Sequence, residues 1–336
     1  MKRVLVALGC VLTSGWAVCA EEVGPDWVLA TDKAPWQARD SQAEVAYGDQ
    51  LWIMGGWFDS FKPAPRDVWS TSDGKTWKRV TAEAPWKHSD LSMSLVFDKR
   101  MWLLGGWYNG RMPGHEAGHE VWSSTDGAHW EQATSGASWS ARIAAAAVVF
   151  NGKMWILGGT EDYYFGDEKS LKNDVWSSAD GKHWTLQCEH APWAPRAYHQ
   201  AVVLEGQIYL FGGGNYVPKY ETRADVWSSA DGVHWEKVSD EVPWHPRLWF
   251  SAVVYRDRMW ILGGWSNNPS QNWGDVWYSK DGKTWKQLVS KVIWKERHEH
   301  SAVVWRDKIW VAGGHAQPLS SEVWSLEIPA GWFEKH

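Results

Sequence analysis

A double glycine recurs at nearly constant spacing along the whole chain. The pairs begin at residues 55, 105, 158, 212, 263 and 313, so successive copies lie 50, 53, 54, 51 and 50 residues apart. Each pair ends a short apolar run with an aromatic residue, such as LWIMGG at 51–56. Such a run is typical of a buried strand that leads into a tight loop. A period of about 50 residues is that of propeller blades, so this repeat constrains the fold more than any other feature.

Each copy contains further strand signals after the double glycine. An acidic residue precedes Val-Trp in every copy, and in five copies an Asp-Gly turn and another tryptophan follow. Asp-Gly between two β-favouring runs predicts a hairpin. The sequence therefore predicts an all-β protein, a six-bladed β-propeller of four-stranded antiparallel blades. Since a ring of blades cannot be divided, residues 21–336 are expected to form a single domain.

These repeats resemble those of the kelch family, which share the double glycine and two spaced aromatic residues downstream. The resemblance covers essentially all of residues 21–336, although the third-strand aromatic is Trp where kelch repeats usually have Tyr. It implies a propeller, and by itself it does not imply catalysis.

The start of the mature chain is expected to close the ring. Trp27 lies nine residues before Trp36, just as Trp77 lies nine residues before Trp86. The last copy lacks the Asp-Gly turn, so it needs a fourth strand from elsewhere. We therefore predict that residues 26–30 complete the sixth blade.

Residues 1–20 read as a secretory signal peptide. A basic start and an apolar middle are followed by Val18-Cys19-Ala20, which predicts cleavage near Ala20 and a periplasmic or secreted protein. Cleavage would leave Cys188 as the one remaining cysteine and take the formal net charge from −6 to −8. An acidic chain argues against nucleic acid or an anionic membrane as partner, and no membrane span is expected.

Two features of the repeat predict a ligand-binding face. Antiparallel order places the loop between the second and third strands on the same face as the loop that joins one blade to the next. The first loop begins with residues that directly follow the double glycine: Trp57, Trp107, Trp265 and His315. The second carries the arginine of a Trp-x-x-Arg pattern in which proline usually precedes the tryptophan: Arg39, Arg142, Arg196, Arg247 and Arg297, with Ser89 instead in the second copy.

These arginines have two interpretations. A ring of guanidinium and indole groups at the channel mouth suits a carboxylate or a sugar, and the kelch resemblance implies ligand binding at these positions. Alternatively, the arginines pair with the recurring acids that precede Val-Trp: Asp67, Glu120, Asp174, Asp225, Asp275 and Glu322.

Departures from the repeat indicate candidate catalytic groups. Arg297-His298-Glu299-His300 is matched only in part, by the segment that ends in His199. Glu299, His300 and His199 are therefore the candidate proton carriers. The HExxH letters at 115–119 run straight into a predicted strand rather than a helix, so neither a metal nor another cofactor is expected.

Two functions follow from the sequence. We favour a propeller that binds a carbohydrate or a protein segment on this face. The alternative is a sugar-modifying enzyme such as an acidic-sugar mutarotase or epimerase, by analogy with six-bladed periplasmic kelch proteins that act on sialic acid. The sequence leaves catalysis open.

Overall fold

The computed structural model describes residues 22–335, and the predicted signal peptide lies outside this range. Its sheets form a six-bladed β-propeller, which confirms the predicted fold class. From the inner to the outer strand, the first blade comprises Ala43–Tyr47, Gln50–Met54, Val68–Thr71 and Trp77–Thr81. The second comprises Met93–Phe97, Arg100–Tyr108, Glu116–Ser124 and Glu131–Thr134. The third comprises Ala146–Phe150, Lys153–Thr160, Leu171–Ser178 and Thr185–Cys188.

The other three blades repeat this order. The fourth comprises Gln200–Leu204, Gln207–Phe211, Val226–Ser229 and Glu236–Ser239. The fifth comprises Ser251–Val254, Met259–Asn267, Ser270–Ser279 and Trp285–Val289. The sixth comprises Ser301–Trp305, Lys308–Ala312, Val323–Leu326 and Val28–Thr31. Smaller elements lie outside the repeat: strand Glu22–Val23, the pair Gly214–Asn215 and Glu221–Thr222, the 3-10 helix Glu168–Ser170 and helix Trp332–Lys335. Within residues 22–335, no helix has both the length and the apolar composition needed to cross a bilayer.

The sixth blade takes its outer strand from the beginning of the described chain. Val28–Thr31 pairs antiparallel with Val323–Leu326. Trp27 packs edge-on against Trp294, with ring centroids 5.8 Å apart. Trp36 and Trp77 of the first blade pack in the same way at 5.9 Å. Residues 28–31 thus occupy the outer-strand position of the sixth blade, and both ends of the ring meet there.

The cores lie between neighbouring blades. Trp52 of the first blade packs with Met101 and Leu103 of the second. Gly127, in the Asp-Gly turn of the second blade, comes so close to Trp52 that a Cβ there would lie 2.3 Å from the indole ring. Cys188 is a free thiol, so the stability of the described ring comes from this packing rather than from disulfides.

Candidate functional site

Six residues in the left-handed conformation surround the channel mouth. Each lies two residues after the arginine position of its repeat: Ser41, Leu91, Ala144, Tyr198, Trp249 and Glu299, with φ between 51° and 58°. Their backbones are joined from blade to blade, since the Ser41 N–H donates to the Glu299 carbonyl and the Leu91 N–H to the Ser41 carbonyl, at 3.0 and 3.1 Å. Non-glycine residues adopt this conformation at a cost, and such strain clusters at functional sites. These six residues, called the inner ring below, are therefore the first structural indication of a site.

Two cavities adjoin this inner ring. The channel cavity, of about 180 Å³, runs down the axis between the inner strands. The cup, of about 380 Å³, opens between the loops above them. Ser41, Trp249 and Glu299 line both cavities, so the inner ring separates the cup from the channel.

Three buried carboxyl groups meet at one side of the cup. Asp40 and Asp90 are 2% and 1% exposed, and Glu299 contacts the Tyr163 hydroxyl, which donates to it at 3.4 Å. Burial, followed by repulsion from Glu299 and Asp90, raises the pKa of Asp40. Burial also raises the pKa of Asp90 to about 7, and burial with repulsion from Asp90 raises the pKa of Glu299 to about 8. Within residues 22–335, no lysine or arginine forms an ion pair with any of the three.

Two imidazoles stand beside these carboxyl groups. His298 Nε2 lies 3.4 Å from Glu299 Oε2, and His315 Nδ1 lies 3.6 Å from Asp40 Oδ2. Burial, with repulsion from His315, lowers the pKa of His298 to about 3, and burial lowers the pKa of His315. Both imidazoles are therefore neutral at physiological pH and do not neutralise the carboxyl groups.

Aromatic rings form the rest of the cup wall. Tyr163 and Tyr164 stack with centroids 4.0 Å apart, and Trp249 contacts Tyr216 at 4.9 Å and Trp265 at 5.6 Å. Tyr164, Tyr216 and Trp265 are half-buried, so part of each ring is open to the cup. The cup combines ring faces with carboxyl, hydroxyl and imidazole groups.

The expected arginine ring does not face a ligand. All five guanidinium groups are at most 1% exposed, and each pairs with the acid before Val-Trp in its own blade: Arg39 with Asp67, Arg142 with Asp174, Arg196 with Asp225, Arg247 with Asp275 and Arg297 with Glu322. Nη1 of each also donates to the carbonyl of the first residue of the double glycine. This corrects the predicted ligand-binding role of Arg39, Arg142, Arg196, Arg247 and Arg297, whose donors are used inside the blades.

In the second blade a different residue pairs with the acid before Val-Trp. Ser89 replaces the arginine there, and the preceding His88 places Nδ1 3.1 Å from Glu120 Oε1. An acid before Val-Trp thus receives a nitrogen partner in this blade too, which supports a structural role for the whole set.

The other predicted site residues separate into two groups. Trp57, Trp265, His315 and Glu299 line the cup. Trp107 does not, because it is 1% exposed and its indole N–H donates to the Gly110 carbonyl at 2.8 Å. Its predicted ligand contact is therefore corrected to a structural one.

His199 and His300 are also corrected. They line the channel cavity rather than the cup and pack against Trp193 and Trp294. Burial, ahead of repulsion from the neighbouring arginine, lowers the pKa of both imidazoles. Neither can exchange protons with a ligand in the cup, which leaves Glu299 as the predicted catalytic candidate that lies there.

The sequence interpretation missed several cup residues, although one signal pointed to some of them. Asp40, Asp90 and His298 each follow the arginine position directly, where the other copies have Ile143, Ala197 and Leu248. A comparison of the copies at this position would have revealed three polar residues among apolar ones. Tyr163, Tyr164 and Tyr216 come from loops of unequal length and carry no such signal.

The HExxH letters are not a helical zinc motif in this fold. Strand Glu116–Ser124 already begins within these letters, and His115 stacks on Trp107 and Phe165. His119 packs against Trp139 instead.

One buried acid, Glu44, lies among the small residues that line the channel cavity. Glu44 occupies the inner-strand position that is alanine in four other blades and Ser94 in the second. Its carboxylate accepts hydrogen bonds from the Ala302 N–H and the Ser301 hydroxyl, both at 3.3 Å. The surface that it keeps faces the narrow channel and not bulk water, and burial raises its pKa from 4.5 to about 8.

We expect Glu44→Gln to stabilise the protein at alkaline pH. The pKa of Glu44 is higher in the folded than in the unfolded protein. Below about pH 4.5 the carboxyl is protonated in both states, so the wild-type protein loses no free energy of unfolding. Above pH 8 it loses the full amount, on the order of a few kcal/mol, because a buried carboxylate must then be ionised. The variant should therefore melt several degrees higher at pH 9 and unchanged at pH 4. Thermal unfolding across pH 4–9 measures this. The control is Glu327→Gln, which removes a surface pair with Lys308, and parallel curves for wild type and Glu44→Gln would contradict the assignment.

The fold and the cup together define a class, a six-bladed propeller with a candidate ligand site among the loops at the channel mouth. A family model described as the KLHDC2/KLHL20/DRC7 Kelch-repeats domain matches residues 26–213 and 166–335. The chain belongs to the kelch-repeat family.

Individual relatives share the repeats and differ elsewhere. The chain is 31% identical over 135 residues to the leucine-zipper-like transcriptional regulator 1 homolog of Drosophila melanogaster, which covers 37% of this chain and 13% of that protein. It is 31% identical over 112 residues to Ras guanine nucleotide exchange factor F of Dictyostelium discoideum, covering 31% and 10%. It therefore spans only a small part of the length of these curated relatives.

A solved structure titled "Structure of YjhT" has a similar fold. It superposes with a TM-score of 0.69 and covers 90% of this chain and 98% of that chain. The sequence identity is 15%, so the likeness concerns the fold alone.

Proposed function

We propose that the cup binds an uncharged carbohydrate unit. The observation that carries the proposal is the pairing of partly open rings, Trp57, Trp265 and Tyr216, with the acceptors Asp40 and Glu299 in one cavity. A pyranose has apolar C–H faces that pack on aromatic rings and hydroxyl edges that donate to carboxyl oxygens. The cup volume of about 380 Å³ lies in the usual range for small-molecule sites.

The charges favour a neutral sugar over an acidic one. The five repeat arginines are bound within the blades, and the arginine that lines the cup, Arg111, is exposed and stacks on Tyr164 at 4.4 Å. A ligand carboxylate in the cup would lose its hydration beside two buried carboxyl groups, Asp40 and Glu299, and within residues 22–335 Arg111 is the one lysine or arginine in the cup lining. We therefore propose a neutral sugar, in place of the acidic sugar that the alternative function named.

Calorimetric titration with neutral hexoses, N-acetylhexosamines, disaccharides and a uronic acid tests this proposal. We expect a neutral sugar to bind and the uronic acid to bind more weakly. Trp265→Ala and Trp57→Ala should each weaken binding about tenfold, which corresponds to a lost ring contact of roughly 1.4 kcal/mol.

The matched control is Phe61→Ala. Phe61 lies in the same loop as Trp57 but is 74% exposed and does not line the cup, so its loss should leave binding unchanged. Absence of binding to every sugar would overturn the carbohydrate proposal and favour a protein segment as the occupant, with a cationic side chain against the carboxyl groups.

The second candidate is a sugar mutarotase that uses the same cup. Asp40 and Glu299 both line it, and mutarotation needs one group that gives a proton to the ring oxygen while another takes one from the anomeric hydroxyl. Polarimetry of a freshly dissolved sugar that binds is the test. Acceleration that Glu299→Gln abolishes, with binding retained, supports the enzyme, and an unaltered spontaneous rate excludes it for that sugar.

We also propose that the protein is secreted or periplasmic, on the basis of the signal-like residues 1–20. Mass spectrometry of the exported protein should find a chain that begins after Ala20. A chain that retains Met1 in the cytoplasm would contradict this proposal.

A further inference from the structure

We propose that Asp40, His298 and His315 bind a divalent transition-metal ion at the side of the cup. One carboxylate oxygen and one nitrogen from each histidine lie within 4.8 Å of one another. Asp40 and His298 lie in blade-joining loops, whereas His315 follows the double glycine of the sixth blade. The repeat therefore places residues from both ends of the chain in one cluster. No local sequence motif predicts this cluster.

The spacing is close to that of a metal site. With metal–nitrogen and metal–oxygen bonds of about 2.0 to 2.2 Å, ligand atoms around a tetrahedral ion lie roughly 3.4 Å apart. His315 Nδ1 and Asp40 Oδ2 are already 3.6 Å apart. The His298 and His315 rings lie 4.9 Å apart and 33° from parallel, so a small side-chain rotation brings the third ligand atom in.

Asn272 holds this arrangement in place. Its side-chain oxygen lies 2.6 Å from His298 Nδ1, and its amide nitrogen donates to the His315 carbonyl at 2.7 Å. Because Nδ1 donates its proton to the amide oxygen, Nε2 of His298 carries the free lone pair. Metal-binding histidines are usually fixed by such a bond on the other ring nitrogen. One residue therefore positions both histidines.

An independent observation is the buried acid behind the cluster. Asp90 is 1% exposed, and neither carboxylate oxygen accepts a hydrogen bond of normal geometry, although the Ser41 hydroxyl lies close enough to interact. Asp90 interacts electrostatically with both Asp40 and Glu299. A buried carboxyl group without a hydrogen-bond donor is an unsatisfied polar group, and a divalent ion on Asp40 would place a positive charge beside it.

The donor set selects the class of metal. Two imidazoles and one carboxylate suit Zn²⁺, Co²⁺, Ni²⁺ or Fe²⁺, whereas Mg²⁺ and Ca²⁺ prefer oxygen ligands. Three protein ligands leave at least one coordination position for water or a ligand in the cup. This inference does not depend on the identity of the cup's ligand.

Metal binding by the full chain without an affinity tag, after dialysis against EDTA, tests the proposal. We expect one Zn²⁺ per chain by calorimetry and, with Co²⁺, visible absorption bands of a low-coordinate site. His298→Ala and His315→Ala should each weaken binding at least about 100-fold, and Asn272→Ala about 10- to 100-fold. His315 is half-buried, so His315→Ala should fold normally, and circular dichroism checks this.

Two controls separate this cluster from other histidines. His129→Ala alters an exposed hairpin histidine beside Asp126, and the double variant His115→Ala, His119→Ala removes the HExxH-like pair. Both should bind Zn²⁺ like wild type. Absence of a stoichiometric site, or a site that survives His298→Ala and His315→Ala, would overturn the proposal. Since no sugar is present, either result is independent of the carbohydrate test.

Discussion

Arg196→Ala should destabilise the protein by about 3–5 kcal/mol, the cost of leaving one member of a buried ion pair without its partner. The Arg196 guanidinium is fully buried and donates to both oxygens of Asp225, at 2.7 and 2.8 Å. It also donates to the carbonyls of Ala194 and Gly212, so the variant leaves several acceptors unsatisfied at once. We expect the melting temperature to fall by roughly 5 to 8 °C.

The size of this effect can be checked with matched variants. Arg196→Lys keeps the charge but not the planar fork, so it should be intermediate. Arg223→Ala removes a partly exposed pair with Glu221 in the same blade and should change the free energy of unfolding by no more than about 1 kcal/mol. A melting temperature for Arg196→Ala within two degrees of wild type would mean that the buried pair does not hold the blade together.

Removal of residues 22–31 should abolish cooperative unfolding of the ring or lower its melting temperature by more than about 10 °C. The deletion takes away the outer strand of the sixth blade, which exposes the edge of Val323–Leu326. It also removes Trp27, which is 2% exposed and packs against Trp294 in the core. Loss of one buried tryptophan alone costs about 3–5 kcal/mol.

Thermal unfolding followed by circular dichroism and tryptophan fluorescence gives the answer. Trp27→Ala should account for part of the loss, because it leaves the strand pairing intact. Val28→Thr changes a side chain that is 61% exposed and should have almost no effect. An unchanged melting curve for the deletion would show that the ring is closed by other contacts.

The sequence left the role of the repeat arginines undecided for a physical reason. An arginine three residues after the repeated tryptophan has the same local sequence pattern whether its guanidinium points to a ligand or to an acid in its own blade. The choice depends on the distance to an acid 25 to 32 residues later, which only the pairing of strands sets. The histidines were misplaced for a similar reason, since Glu299 and His300 are neighbours in sequence but His300 lines the channel cavity and not the cup.

The period of the double glycine, the strand runs and the Asp-Gly turns by themselves determined the number of blades, the four strands in each and the face that carries the long loops. These features depend on backbone preferences and short-range periodicity, which are local. The tertiary structure alone decided that Asp40, His298 and Glu299 line one cup while the five arginines pair with acids inside the blades. Ring closure brings the two ends of the chain together, and burial and charge there depend on neighbours that no local pattern specifies.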